Sequence, residues 1–236
     1  WRPDPGLVAD PREVVRMLAG LPAPRRWDDW TAGLRAAYES WQTPRPTPGA
    51  LRMEEVVAWL SANLPEDAII TNGAGNYAAF VHRYYRYRRF GTQLAPTSGS
   101  MGYGLPAAVA AKLARPAQTV VCLAGDGCLQ MTVNELSTAA QYGAAVIVLV
   151  ANNGRYGTIR MHQERSYPGR VSGTDLFSPD FAALARAYGG HGEVVTRQQD
   201  FAPAFARAQA AGTLAVLELR LDPEALATEF GVSRTP

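Results

Sequence analysis

Four short apolar runs punctuate the chain: Ala68 to Thr71, Thr119 to Ala124, Ala145 to Ala151 and Leu214 to Leu219. Two of them, Val120-Val121-Cys122-Leu123 and Val146-Ile147-Val148-Leu149-Val150, are continuous rather than alternating. That is the pattern of strands covered on both faces. Helical patterns fill the intervals, so the chain predicts an α/β fold, a doubly wound parallel sheet with helices on both faces. Ahead of the first run, Asp10 and Pro11 supply a cap and a first-turn proline for Val14, Val15 and Leu18, and Gly20 supplies a stop. A short helix is expected there. Trp27, Trp30, Leu34, Ala37, Tyr38 and Trp41 recur at intervals of three and four, which predicts a second helix whose aromatic stripe packs in a core. Pro44, Pro46 and Pro48 then remove backbone donors. They predict a linker at residues 44–50 between a segment at 1–43 and a main domain at 51–236.

Composition narrows the classes. The 236 residues are 47% hydrophobic and 19% charged, which suits a compact soluble domain and excludes a disordered one. The formal charge is +2, and the basic residues are scattered apart from Arg83, Arg86, Arg88 and Arg89, which argues against a nucleic-acid partner. The two cysteines, Cys122 and Cys128, suggest no disulfide framework and fit a reducing cytoplasm. The longest strongly apolar stretch, Ala144 to Ala151, is far short of the ~20 residues of a membrane helix, and the N-terminus has no signal pattern. A cytoplasmic protein with no membrane partner is expected. The sequence starts at Trp1 rather than Met, which suggests a piece of a longer chain.

Parallel sheets bind ligands at the carboxyl ends of their strands, where loops and helix N-termini converge. One buried run ends in Gly125-Asp126-Gly127 and the next in Asn152-Asn153, with Asp126 and Asn153 lying 27 positions apart. Between them Thr132 and Glu135 have capping-box spacing, Leu136, Ala139 and Ala140 continue a helix, and Gly143 stops it. A strand-helix-strand unit of this kind brings Asp126 and Asn153 to one sheet edge. Mg²⁺ takes oxygen ligands, one or two carboxylates together with phosphates. Asp126, the Asn153 side-chain oxygen and the Arg155 carbonyl would supply three, leaving two positions for diphosphate oxygens and one for water. Gly125 and Gly127 would permit a tight turn and close backbone approach, and amides at Gly127 and Cys128 would donate to anionic oxygen.

Gly125-Asp126-Gly127 through Asn152-Asn153 resembles the signature of thiamine-diphosphate enzymes of the acetolactate synthase, pyruvate decarboxylase and benzoylformate decarboxylase group. Asn152 through Thr158 is similar to that family's metal and diphosphate loop, and Gly99 through Ala108 to its pyrimidine-side segment. The likeness runs from about Leu51 to Leu221, and residues 1–43 resemble the C-terminal tail of the family's central domain. It implies thiamine diphosphate held through Mg²⁺ on Asp126, Asn153 and the Arg155 carbonyl. Gly125, Gly127, Cys128, Tyr156, Gly157 and Thr158 would surround the diphosphate, with help from Gly75, Asn76 and Tyr77. Met101 would prop the cofactor in its bent form, and the Gly99 carbonyl would accept from the pyrimidine amino group.

The chemistry implied is addition of the cofactor's ylid to a 2-oxo acid, with the ring as electron sink for decarboxylation. Bending the cofactor makes removal of the ylid proton intramolecular. The family also needs a glutamate on the pyrimidine ring, supplied by an N-terminal pyrimidine-binding domain of the same polypeptide, another protomer or a separate subunit. No counterpart is found here, so about half an active site is expected, in a homodimer or homotetramer. Ile159 and His162 fall where the family lines the substrate end. A tryptophan is usual in acetolactate synthases at the position of His162, which weakens acetolactate formation as the outcome; imidazole there would donate to a carboxylate or shuttle protons. The polar segment from Glu164 to Asp175 reads as a flap over the entrance. Three alternatives stay open: a benzoylformate-type decarboxylase without carboligation, a split-subunit or non-catalytic cofactor-binding module, and a dinucleotide-binding domain. The last is disfavoured because Gly73-Ala74-Gly75-Asn76-Tyr77-Ala78 lacks the third glycine of its fingerprint.

Overall fold

A computed structural model describes residues 2–22 and 26–228, and the chain divides into two compact units, Trp1–Trp41 and Gln42–Pro236. The first unit holds α1 (Pro11–Ala19) and α2 (Asp28–Trp41). Asp10 caps α1, its carboxylate accepting from the Arg12 amide at 2.8 Å, and Gly20 is the C-cap. The stripe on the second helix is not the core element its spacing suggests: no residue of α2 is buried, and Trp27, Trp30, Leu34 and Trp41 are exposed. The described part of this unit has only α1 to set against it, and two short helices cannot enclose an aromatic stripe.

The second unit runs α3 (Met53–Asn63), β1 (Ile69–Asn72), α4 (Asn76–Tyr84), β2 (Gln93–Leu94), α5 (Gly104–Ala114), β3 (Val120–Gly125), α6 (Asp126–Gln130), α7 (Glu135–Gln141), β4 (Ile147–Asn152), α8 (Gly157–Ser166), α9 (Phe181–Ala187), β5 (His191–Val195), α10 (Gln198–Ala210) and β6 (Ala215–Arg220). The strands form one six-stranded sheet in the order β2-β1-β3-β4-β6-β5, parallel at every pairing. This is the doubly wound fold that the continuous apolar runs predict. Alternate residues of each central strand serve opposite faces. Ile147, Leu149, Leu217 and Leu219 pack with α3, α4 and α10, while Val146, Val148, Val150 and Val216 pack with α5, α7 and α9. Among the described residues no helix is long and apolar enough to cross a membrane.

The proline-rich stretch is anchored at one point, where Thr47 donates its amide and hydroxyl to the buried Glu54 carboxylate at 2.6 and 2.8 Å. One local expectation fails for an identifiable reason. Thr132 does not cap the helix that follows, because its hydroxyl donates instead to the Gly102 carbonyl at 2.8 Å. Two short helices, α6 and α7, therefore replace the one capped helix expected between Asp126 and Asn153.

Candidate functional site

β3 and β4 are parallel neighbours with Gly125 opposite Ala151, so both deliver their next residues to the same end of the sheet. Asp126 begins α6 and Asn152 ends β4. The two loops touch directly, the Gly154 amide donating to Asp126 Oδ2 at 2.9 Å. Asn153 follows the strand, and its Oδ1 accepts from the Arg155 amide at 3.3 Å. The segment read as a flap is partly helix, since α8 extends to Ser166, and its far end is stapled to this turn. The Tyr156 amide donates to the Thr174 carbonyl and the Leu176 amide to the Gly154 carbonyl, each at 2.8 Å. Ser178 then donates its hydroxyl to Asp126 Oδ2 at 3.3 Å.

These loops wall a cleft of about 630 Å³, open to solvent on one side. Asp126, Asn153 and Arg155 line it, as do Gly125, Gly127, Cys128, Tyr156, Gly157 and Thr158. Gly75, Asn76 and Tyr77 enter from the end of β1, Met101 from the loop before α5, and Ile159 from α8. Gly99 and His162 are not among the lining residues. Gly99 is exposed two positions before Met101, and His162 is exposed on α8 with Arg165 donating to its Nδ1 at 2.7 Å. Asn76 joins α4 to α8: its amide donates to Thr158 Oγ1 at 3.0 Å, and its Oδ1 accepts from that hydroxyl at 2.9 Å.

Asp126 is not the peripheral strand-end residue that its place in the sequence suggests, being 3% exposed. The segment ending at Ser178 covers it. Burial pushes its carboxyl up from the ordinary range, while donation from the Gly127 and Gly154 amides and the Ser178 hydroxyl pulls the other way. Three donors still leave part of this carboxylate's acceptor capacity free. Among the described residues no cluster of three or more His, Cys, Asp or Glu side chains is placed to hold a metal. A cation here would draw on one carboxylate, amide or carbonyl oxygens and a ligand's own oxygens, which suits Mg²⁺ and not a zinc cage. The glycines owe their identity to aromatic neighbours more than to a turn. Gly125 has ordinary backbone angles, φ −74° and ψ 159°, but a Cβ there would meet the Tyr77 ring at 3.1 Å. A Cβ on Gly127 would meet Tyr156 at 2.7 Å and Leu176 at 2.8 Å. The Gly127 amide is engaged with Asp126 Oδ1 at 2.8 Å.

The family described as thiamine pyrophosphate enzyme, C-terminal TPP binding domain, matches residues 73–219, more than half of the chain. This chain belongs to that family. The thiamine pyrophosphate domain is similar to the acetolactate synthase large subunit of Corynebacterium glutamicum, with 33% identity over 86% of this chain and 34% of the relative. It is also similar to the acetolactate synthase isozyme 2 large subunit of Escherichia coli, with 34% identity over 81% and 35%. Among solved structures, the thiamine diphosphate-dependent 4-hydroxybenzoylformate decarboxylase of Rhodococcus jostii superposes with a TM-score of 0.70, at 33% identity over 76% of this chain and 34% of that one. The chain thus spans about a third of the length of these relatives. Family membership disposes of the dinucleotide-binding alternative. The glycine pair at 73 and 75 makes room for neighbours instead: a Cβ on Gly73 would run into Cys128 Sγ, and Gly75, at φ 145°, would bring one within 3.0 Å of the Tyr77 ring.

Several residues of this thiamine pyrophosphate domain escape a sequence reading. Ser178 reaches Asp126 from a distant loop, and Asp180, which caps α9 by accepting from the Ala183 amide at 2.7 Å, masks it as part of a helix start. Leu221, Ala225 and Leu226 line the cleft from beyond the last strand, held by Asn76 Nδ2 donating to the Leu226 carbonyl at 2.7 Å. Cys128, expected to act through its backbone amide, is engaged through its sulfur: Sγ accepts from the Gly102 amide and the Tyr77 hydroxyl, both at 3.1 Å. Burial, then Cys128, holds the Tyr77 phenol far above its ordinary value, so it stays a donor.

Proposed function

We propose that this domain binds thiamine diphosphate through Mg²⁺ as the C-terminal part of an acetolactate synthase-like enzyme that decarboxylates a 2-oxo acid. The resulting acyl or aldehyde unit is then open to transfer. One observation carries the reading: Asp126, Asn153, Arg155 and Met101, from separate loops of the chain, line a single cleft, and the loops of Asp126 and Asn153 touch directly. Asp126 and Asn153 would give oxygens to the cation with the Arg155 carbonyl, and Thr158, Gly157 and Tyr156 would flank the diphosphate. Gly125, Gly127 and Cys128 would flank it from the opposite wall, and Gly75, Asn76 and Tyr77 from the β1 side. When bound, the cofactor supplies a nucleophilic carbon and an electron sink. The chain's own part is to bind, to bend and to keep water out. Met101 would be the wedge that bends the cofactor, the Gly99 carbonyl would accept from its amino group, and Ile159 from the cleft lining and His162 from the exposed side of α8 would meet the substrate.

Residues 1–43 are read as the tail of a central domain, 44–50 as a linker and 51–236 as the cofactor domain. A pyrimidine-binding domain, with its activating glutamate, comes from the rest of the polypeptide, another protomer or a second subunit, in a cytoplasmic homodimer or homotetramer. A benzoylformate-type decarboxylation without carboligation is the second reading. It is favoured by the Rhodococcus structure and by benzoylformate decarboxylase from Polynucleobacter necessarius, which is 25% identical with a TM-score of 0.69 over 78% of this chain and 36% of that one. Assaying the full-length protein against a panel of 2-oxo acids, with CO₂ release and carboligation products followed separately, tests both. Release without ligation selects the second reading, and no thiamine-dependent release with any 2-oxo acid overturns the pair.

A further inference from the structure

Glu218 sits in the middle of β6, opposite Val150 and Val194 and between Leu217 and Leu219, and it is 1% exposed. Its two strand neighbours and both cross-strand partners are apolar. Its Oε1 accepts from Asn152 Nδ2 at 3.0 Å and from Arg220 Nε at 3.1 Å, while its Oε2 is buried with no partner. A buried carboxylate oxygen left in this state is costly, and an apolar replacement would pack the strand better. The compensation lies at the other end of Asn152. An acceptor at Glu218 commits the Nδ2 end of the Asn152 amide to β6 and leaves Oδ1 facing the turn, where it accepts from the Gly154 amide at 3.1 Å. The same Gly154 amide donates to Asp126 Oδ2. An inverted Asn152 would put donor against donor at Gly154 and loosen the turn that carries Asn153 and Arg155.

We infer that Glu218 is a positioning residue for the cation site, acting through Asn152 on the 152–155 turn. The inference rests on the reading of Asp126 and Asn153 as Mg²⁺ ligands. Groups that orient metal ligands from behind typically alter metal affinity by roughly 10–100-fold when removed. The test is a Mg²⁺ titration of thiamine diphosphate binding in the full-length polypeptide, followed by calorimetry, with melting of the cofactor-free protein measured in parallel.

In Glu218→Leu the Mg²⁺ concentration for half-maximal binding rises about tenfold or more, while the melting temperature stays level or increases. Glu218→Gln, which keeps an acceptor oxygen, remains within about threefold of the unsubstituted protein. Asn152→Ala reproduces the loss, and the double variant with Glu218→Leu loses no more, since both act on one chain of contacts. An unchanged Mg²⁺ requirement in Glu218→Leu, a loss matched by a lowered melting temperature, or additive losses in the double variant would overturn the inference. Asp126→Ala separates the two levels. If it keeps Mg²⁺-dependent binding, the cation reading falls and takes this inference with it; if it loses binding while Glu218→Leu does not, the inference alone falls.

Discussion

Gly127→Ala probes the wall between the cation loop and its covering segment. The added Cβ would stand 2.7 Å from Tyr156 Cε1 and 2.8 Å from Leu176 Cδ1. Carbon atoms rest ~3.5–4.0 Å apart, so each neighbour must retreat by about 1 Å. Overpacking of this kind costs about 1–3 kcal/mol, and the upper half of that range applies because two groups move together. Against it stands a gain of about 1 kcal/mol from replacing a helical glycine with alanine. The net loss of about 1–2 kcal/mol corresponds to a fall in melting temperature of roughly 2–8 °C for a domain of this size. The displaced Tyr156 ring, which lines the cleft, also lowers thiamine diphosphate affinity.

Gly125→Ala is the internal control. Its Cβ would approach the Tyr77 ring only to 3.1 Å, and its φ of −74° suits alanine. A gain of about 0.4–1 kcal/mol through the unfolded chain nearly cancels the smaller steric cost. Scanning calorimetry with and without cofactor distinguishes the two variants. A Gly127→Ala protein that melts and binds like the parent, or a larger loss for Gly125→Ala, would refute the reasoning.

Asp126→Ala should abolish Mg²⁺-dependent cofactor binding by calorimetry, and because it strips acceptors from Gly127, Gly154 and Ser178 it should also lower the melting temperature; binding undiminished by the change contradicts the site. Met101→Ala should reduce turnover more than cofactor affinity if, as proposed, the side chain bends the cofactor and does not anchor it; equal losses in the two measurements count against the wedge. Cys122 is fully buried, and desolvation pushes its thiol from 9.0 up to about 12. It should resist iodoacetamide at pH 8 until the protein unfolds, and rapid native labelling would contradict its burial. Because the folded pKa is the higher one, this thiol's contribution to stability is complete below pH 9 and is lost as pH rises from there towards 12.

The central strands are legible because burial on both faces writes itself as an uninterrupted apolar run, and β1, β3, β4 and β6 each fall within two residues of those runs. β2 and β5 leave no such trace. β2 is two residues long, and β5 carries His191, Gly192 and Glu193 at the sheet's edge, where it is mostly half-buried. The juxtaposition of the Asp126 and Asn153 loops can be read for the same reason as the strands, since parallel neighbours must emit their next residues side by side. What cannot be read is who competes for a polar group. Thr132 has the spacing of a cap and serves Gly102 instead, and Ser178 meets Asp126 only because a loop of no fixed pattern returns across the edge. The role of Glu218 is hidden likewise, as one acidic residue in an apolar strand says nothing about the asparagine two registers away.

The sulfur of Cys128 works as a spacer. It holds the peptide beside Met101 and the phenol of Tyr77 at one common length, so the separation of those two groups depends on the radius of a single atom. An oxygen in its place, forming bonds about 0.3 Å shorter, would draw the Gly102 amide and the Tyr77 phenol closer together and reshape the cleft lining between Tyr77 and the loop of Met101.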